Sequence, residues 1–496
     1  RQRGHTSTAR VTAVEGGSIT AAATQTERTV GAKRVVERIV QYRADTAGRD
    51  RTDDALAGLL ELEAVGVDEL LAEQREAWAR RWEDAHVEIE RDPDIELGVR
   101  FGLFHLMAAT PTEGEAAVGA RGLSGPAYRG HVFWDTDVFI LPFFAATCPA
   151  AARAILEYRI RRLGAAYEAA AERGLRGARF PWESASTGRD VTPKEDRPLF
   201  GPVIPILTGE LEEHIVADVA WAAIQYTAWT GDEDFLRGPG RPLVLDTARY
   251  WASRVEIDEA GRGHIRHVIG PDEYHEDVDD NAFTNVIARW NLRRAAELAE
   301  AEGDVPGGEI AHWREVADAL VDNVDPQTGL YEQFAGFFSL DDVVLSAIAT
   351  PPLAADLILG RPFVHRSTII KQADVLMLHH LVPEEVVPGS LEVNLDYYSP
   401  RTSHGSSLSP AVHASLLARA GRLEEAVELF RMACRLDLDD LTNTTARGLH
   451  MATFGGVWQA LVHGFLGMRP TPAGLTIDPR IPPEWGRVRV NLRFRD

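Results

Sequence analysis

Ala411-Val412-His413-Ala414-Ser415-Leu416-Leu417-Ala418-Arg419-Ala420-Gly421-Arg422-Leu423-Glu424-Glu425-Ala426-Val427 decides the fold class. An apolar run of helical composition stops at Gly421, and a second, residues 423–436, begins almost at once. Glycine just past a helix adopts the left-handed conformation without a Cβ penalty, so it ends one helix and lets the chain reverse. A turn this short makes the two helices antiparallel neighbours. The same grammar recurs in residues 213–230, where Ile215, Val219, Ala223 and Tyr226 fall on one stripe and the run stops at Gly231. From Asp53 onward Leu56, Leu59, Leu60, Leu62, Leu70, Leu71, Trp78 and Trp82 keep a helical period, which continues for roughly 400 residues. A long series of helix pairs without a fixed sequence repeat predicts a toroid of paired helices or an irregular bundle.

The two ends read differently. Residues 1–45 are rich in small and β-branched residues, with Val11-Thr12-Ala13-Val14, a Gly16-Gly17 turn and then residues 18–24, so they predict the tail of a β domain. Residues 46–90 read as a helical linker and 91–469 as the helical body. After Pro470-Thr471-Pro472 the period returns to two through Val488, Val490, Leu492 and Phe494, predicting the start of a second, small β domain over 470–496. Arg1-Gln2-Arg3-Gly4-His5 has neither an initiator Met nor a signal-peptide core, and the chain reads as a piece of a longer protein.

Composition narrows the function classes. A net charge of −23 without a Lys/Arg cluster argues against nucleic acid. No apolar run is long enough for a membrane span. Cys148 and Cys434 form neither a disulfide framework nor a zinc spacing, which suggests a reducing, cytoplasmic setting, and no metal is expected from the histidine spacings.

The residues that packing does not demand sit on the loops between helices. Val268-Ile269-Gly270-Pro271-Asp272-Glu273-Tyr274-His275-Glu276 gathers carboxylates and a His ahead of a helix. A carboxyl group can act as a general acid near neutral pH if burial or a neighbouring negative charge favours its proton, and Asp272 beside Glu273 is a candidate for that charge. Tyr128-Arg129-Gly130-His131-Val132-Phe133-Trp134-Asp135 and Pro181-Trp182-Glu183 both join an indole to a carboxylate. Such a pair can cover a sugar ring and take hydrogen bonds from its hydroxyls; equally, it can be a core Trp with a capping Asp. Lys371 and Gln372 interrupt an apolar stripe. Ser403-His404-Gly405-Ser406-Ser407-Leu408-Ser409-Pro410 places hydroxyls, a His and a Gly at a helix N-terminus, a plausible anion cradle or an ordinary cap, and His450 follows on another small-residue loop.

Together the segments 128–135, 270–276, 371–374 and 404–409 resemble glycoside hydrolase family 65, in the family's order. The resemblance implies an (α/α)6 barrel between the tail of an N-terminal β-sandwich and the start of a C-terminal β domain. It further implies inverting phosphorolysis of an α-linked glucose disaccharide such as trehalose, kojibiose, maltose or nigerose. Glu273 is then the general acid, and Trp134, Asp135, Trp182, Glu183, Lys371 and Gln372 hold the glucose. His214 is a candidate contact from the entrance run Gly201-Pro202-Val203-Ile204 through His214, and His404, Gly405, Ser406, Ser407 and His450 hold phosphate. Phosphate is the co-substrate, with no cofactor or metal. The partners implied are a disaccharide and phosphate, with a homodimer left open. An inverting hydrolase of the same family needs a second carboxylate as base. None occurs between Ser399 and Gly421, although Glu392 and Asp396 lie just upstream. A silent sugar-binding barrel is the remaining reading.

Overall fold

The computed structural model describes residues 3–13, 17–197, 203–471 and 474–495. Val14, Gly16, Gly201, Pro202 and Pro472 of the segments above lie outside the described residues. The chain divides into two compact units, Arg1–Glu83 and Asp84–Asp496.

In the first unit the strands Arg3–Thr12, Ser18–Val30 and Lys33–Asp45 form an antiparallel meander. Gly31 at φ 61° makes the tight reversal between the paired Val30 and Lys33. Side chains alternate, so Thr20, Ala22 and Thr24 share a buried face. Helix Thr52–Val65 seats Ala55 and Leu59 against Ala22. The start of the stretch read as a linker is therefore part of the packing of this sheet.

The second unit is an (α/α)6 barrel. Its inner helices are Leu141–Thr147, Ile215–Thr230, Ala282–Glu302, Val375–Leu381, Ser409–Arg419 and Met451–Gln459. Each touches the next, and the sixth touches the first, which closes the ring. The outer helix Pro93–Ala108 precedes them in sequence, and Pro149–Ile160, Arg241–Arg254, Gly307–Ala319, Leu391–Tyr398 and Leu423–Arg435 alternate with them, each packed on an inner neighbour. Every residue of Leu141–Thr147, Val375–Leu381 and Met451–Gln459 is buried, as an all-round apolar helix requires. Burying each large aliphatic or aromatic side chain contributes roughly 1.5–3 kcal/mol. The predicted glycine stops hold, with Gly231 at φ 74° and Gly421 at φ 78°.

The widened turn Asp135–Ile140 before the first inner helix packs on the last one, and the widened turn Ala460–Phe465 that follows the last packs on Ser409–Arg419. Gln459 closes this seam by donating to the carbonyls of Val138 and Phe139 at 2.8 and 2.9 Å, and its own oxygen meets His380 Nε2 at 2.9 Å. Beyond the barrel, Arg469–Thr471 pairs with Gly474–Thr476, and Val488–Val490 pairs antiparallel with Val87–Ile89 at the start of the unit. Trp485 is buried against Phe430 and Phe465. No described helix is long and apolar enough to cross a membrane.

A Cβ at Gly455 would stand 2.2 Å from the Phe139 carbonyl oxygen, so only glycine lets the ring close there. Gly455→Ala is expected to destabilise the unit by about 1–3 kcal/mol, read as a lower urea midpoint with unchanged helix content.

Candidate active site

Inner and outer helices alternate in direction, so the six inner N-termini share one end of the barrel. Every predicted site residue lies on a segment that leads to or lies near that end, and the segments are tied together there. Lys371 Nζ meets Glu273 Oε1 at 2.8 Å, Gly405 N donates to Lys371 O at 3.1 Å, and Ile269 N donates to Leu211 O at 3.0 Å. Short bridges join Val132 to Ser184, Arg121 to His450 and Ile370 to Thr402.

Asp272 and Glu273, neighbours in sequence, turn to different tasks. Asp272 is buried and fully engaged: Lys371 N donates to Oδ1 at 2.7 Å, while His275 Nδ1 and Gln333 Nε2 reach Oδ2 at 2.7 and 2.9 Å. Its amide donates to Asp374, which also accepts from Asn281, and burial together with the Asp272 charge pushes the Asp374 carboxyl up to about 7. Gly270 is obligatory in this knot, since a Cβ would meet Asn281 Nδ2 at 2.3 Å and Asp374 Oδ2 at 2.4 Å. Glu273 instead projects into a partly open space, its side chain 32% exposed, with Lys371 as its partner. The charge facing the candidate acid is thus a lysine; the expected carboxylate neighbour is occupied elsewhere.

The Trp134 loop is fixed from below. Arg159 holds Asp137 through Nη2 at 2.5 Å and Nε at 3.2 Å, and also donates to Phe133 O, a buried two-point pair. Trp134 is 2% exposed, with its ring edge-on to His214 at 4.8 Å and tilted against Trp182 at 6.3 Å. It forms the packed floor of the site more than an open face. Burial raises the Asp135 carboxyl to about 7, and the charge of Glu273 adds to this. Glu183, also raised by burial, pairs with His131 Nδ1, and Gln372 donates to Pro271 O.

Burial alone would lower the His214 ring, but Asp218 at 2.7 Å and Glu212 at 3.3 Å overcome it and push it up to about 10. His404 has no such partners. Burial holds it down at about 4, Ser409 Oγ lies 2.8 Å from Nδ1, and its φ of 48° is strained for a residue with a Cβ. Ser406 and Ser407 stay partly open directly before helix Ser409–Arg419, whose dipole favours an anion at this end. His450 is set by Asp437 at 2.8 Å, and Thr453, one turn on, donates to Ser407 O at 2.9 Å.

Sequence reading missed Arg121, Tyr128 as a site group, and Glu212. Arg121 donates to Gly448 O at 2.8 Å and lies 3.3 Å from His450 Nδ1, and the charge of Asp135 acts on it. Nothing local distinguishes it from a surface arginine. For Glu212 the signal was present: with His214 and Asp218 it forms a carboxylate, His, carboxylate series on one helix entry. Among the described residues no group of three or more His, Cys, Asp or Glu is arranged to hold a metal.

The family model for the glycosyl hydrolase family 65 central catalytic domain matches residues 100–459. A kojibiose phosphorylase from Halothermothrix orenii is 37% identical over 91% of the chain and 60% of its own length. An α,α-trehalose phosphorylase from Geobacillus stearothermophilus is 36% identical over 87% of the chain and 57% of its own length. The chain therefore spans about 60% of the length of the curated relatives it matches. A solved structure of a human-microbiome protein, described as a candidate kojibiose phosphorylase, superposes with a TM-score of 0.87 at 25% identity, covering 99% of this chain and 70% of that one.

The opposite shifts of the two site histidines are directly observable. Imidazole ¹⁵N shifts are expected to show His214 doubly protonated at about pH 8 and His404 neutral at about pH 6. A neutral His214 at the higher pH would contradict the Glu212 and Asp218 contacts.

Proposed function

The chain belongs to glycosyl hydrolase family 65, and from that premise we propose that it performs inverting phosphorolysis of an α-linked glucose disaccharide, yielding β-glucose 1-phosphate and the second sugar. The observation that carries this reading is the 404–407 segment. It stands at an inner helix N-terminus, hydrogen-bonded through Gly405 N to the residue that pairs with Glu273, and it carries hydroxyls and a neutral His but no carboxylate.

Glu273 donates a proton to the glycosidic oxygen as the bond to the anomeric carbon breaks. Asp135, Glu183, Lys371 and Gln372 hold the glucosyl hydroxyls over the floor made by Trp134 and Trp182. His404, Gly405, Ser406, Ser407 and His450 orient phosphate, whose oxygen attacks from the face opposite the leaving group. The proton given up by Glu273 ends on the departing sugar's hydroxyl, and the proton that phosphate loses on becoming an ester restores the acid. Phosphate is the co-substrate, and the sequence of steps calls on no cofactor or metal. The names of the phosphorylases among the relatives support the same reading.

A hydrolase would need a base roughly 6.5–9.5 Å from the acid. The two upstream candidates are poorly placed for that. Asp396 is 2.7 Å from Arg422, beyond the far end of helix Ser409–Arg419, and Glu392 lines a separate cavity with Arg419, Gly421 and Arg480.

Incubation with trehalose, kojibiose, nigerose or maltose, with and without phosphate, is expected to release β-glucose 1-phosphate from one of them only when phosphate is present. Equal release of free glucose without phosphate would establish hydrolysis. Glu273→Gln is expected to lower kcat/KM by on the order of 10²–10⁴-fold with an unchanged melting profile.

A further inference from the structure

His450 is held by a carboxylate that the steps above leave unused. Asp437 lies in the turn after the outer helix Leu423–Arg435, within Asp437-Leu438-Asp439-Asp440. The two later acids are exposed and serve the turn itself: Asp439 pairs with Arg435 at 2.6 Å, and Asp440 accepts from Thr445 N at 2.9 Å. Asp437 turns inward and is 6% exposed. One residue engages both of its oxygens. His450 Nδ1 lies 2.8 Å from Oδ1, His450 N donates to Oδ2 at 2.8 Å, and Thr445 Oγ1 adds a third bond to Oδ1 at 2.9 Å. Burial would raise the Asp437 carboxyl, but the contacts from His450 and Thr445 overcome it and hold the group below the usual range, so it is ionised at neutral pH.

An ionised carboxylate can only accept, so the 2.8 Å contact requires a proton on Nδ1. Arg121 Nη1 lies 3.3 Å from the same nitrogen but cannot donate to an N–H, and its hydrogen bond goes to Gly448 O at 2.8 Å. Nε2 is the nitrogen left over. Among the described residues its one hydrogen-bonding neighbour is the Thr444 hydroxyl at 3.4 Å, longer than a normal bond of this kind. The helix that His450 opens, Met451–Gln459, is tied to the candidate anion loop, because Thr453 Oγ1 donates to Ser407 O at 2.9 Å. Met451 N also donates to Ala120 O at 3.1 Å, which fixes the helix start beside Arg121.

We infer that Asp437 is a positioning residue: by holding the imidazole proton on Nδ1, it leaves Nε2 of His450 as the atom that meets phosphate. The neutral ring then offers a lone pair, and the phosphate dianion has a single P–O–H group that can donate to it. With that oxygen occupied, an unprotonated oxygen is left to attack the anomeric carbon. The hydroxyls of Ser406 and Ser407 suit the remaining oxygens, since they donate. This inference rests on His450 lying in the phosphate site of the proposed phosphorolysis.

Asp437→Asn keeps the shape and reverses the proton. The His450 amide can only donate, so the side-chain oxygen of the variant must stay at the Oδ2 place, which puts its amide nitrogen where Oδ1 was. The Thr445 hydroxyl can turn to accept from that nitrogen, but Nδ1 can accept only by losing its proton, which moves to Nε2. The test reads the His450 nitrogens by ¹⁵N spectroscopy and phosphorolysis by its two KM values. Wild type is expected to carry a proton on Nδ1, and Asp437→Asn to carry it on Nε2 of the neutral ring. In that variant KM for phosphate is expected to rise on the order of tenfold, while KM for the disaccharide and the melting curve stay near wild type. Asp437→Glu, which keeps an acceptor, is expected to retain the Nδ1 proton and most of the phosphate affinity. A bare Nδ1 in wild type overturns the proposal, as does a moved proton with unchanged phosphate KM, or an equal loss toward both substrates. If Asp437→Asn does not fold, a bare Nδ1 in wild type still overturns it. Wild type that forms no glucose 1-phosphate refutes the phosphorylase reading, whereas the position of the His450 proton is read whether or not the enzyme turns over.

Discussion

The site is assembled around the carboxylate of Asp272. That one buried group accepts from the Lys371 amide, His275 and Gln333, and its own amide is held by Asp374. The two connections that enter the inner helices Ala282–Glu302 and Val375–Leu381 are thereby locked to one another. Glu273 and Lys371 inherit their 2.8 Å contact from this lock, because each is covalently next to, or itself part of, the hydrogen-bonded knot. A buried carboxylate that loses such donors would be left charged in a dry interior at a cost of several kcal/mol. The knot is therefore fully satisfied or the loops separate.

Ring closure supplies the second constraint. With all six inner helices oriented alike, their N-terminal dipoles point at one pocket, and the positive partial charges there offset a local excess of carboxyl groups. Asp135, Glu183, Glu212 and Glu273 crowd the same end of the barrel, yet burial drives Asp135, Glu183 and Glu212 toward their neutral forms. A pocket with fewer net negative charges can admit an anion. The seam between first and last helices, fastened by Gln459 and permitted by Gly455, keeps those dipoles aimed.

The fold class was legible because helix period and glycine stops are local properties, and Gly231 and Gly421 do end their helices as read. The candidate site loops stood out because residue types that packing does not demand gather at helix entries. What the sequence withheld depends on closure in three dimensions. Adjacent carboxylates at 272 and 273 look like mutual perturbers, but consecutive side chains point apart, and the knot took one of them. Arg121 gains meaning only from His450, and Val488–Val490 finds its partner in Val87–Ile89 at the other end of the unit. The helix Thr52–Val65 looked like a linker because its apolar stripe carries no mark of the sheet it covers.

Whether water or phosphate completes the reaction turns on what stands opposite the acid. Water is a poor nucleophile unless a carboxylate removes its proton, whereas phosphate arrives already anionic and needs only orientation. In the proposed reaction the 404–407 loop supplies that orientation through two hydroxyls and a His404 that burial keeps neutral. Its strained backbone at His404 is tolerated because Ser409, Lys371 and Thr453 hold the ring, the amide of Gly405 and the carbonyl of Ser407. A carboxylate added to this loop would repel an anion there, and the proposed phosphorolysis rests on a loop that carries hydroxyls and a neutral His instead.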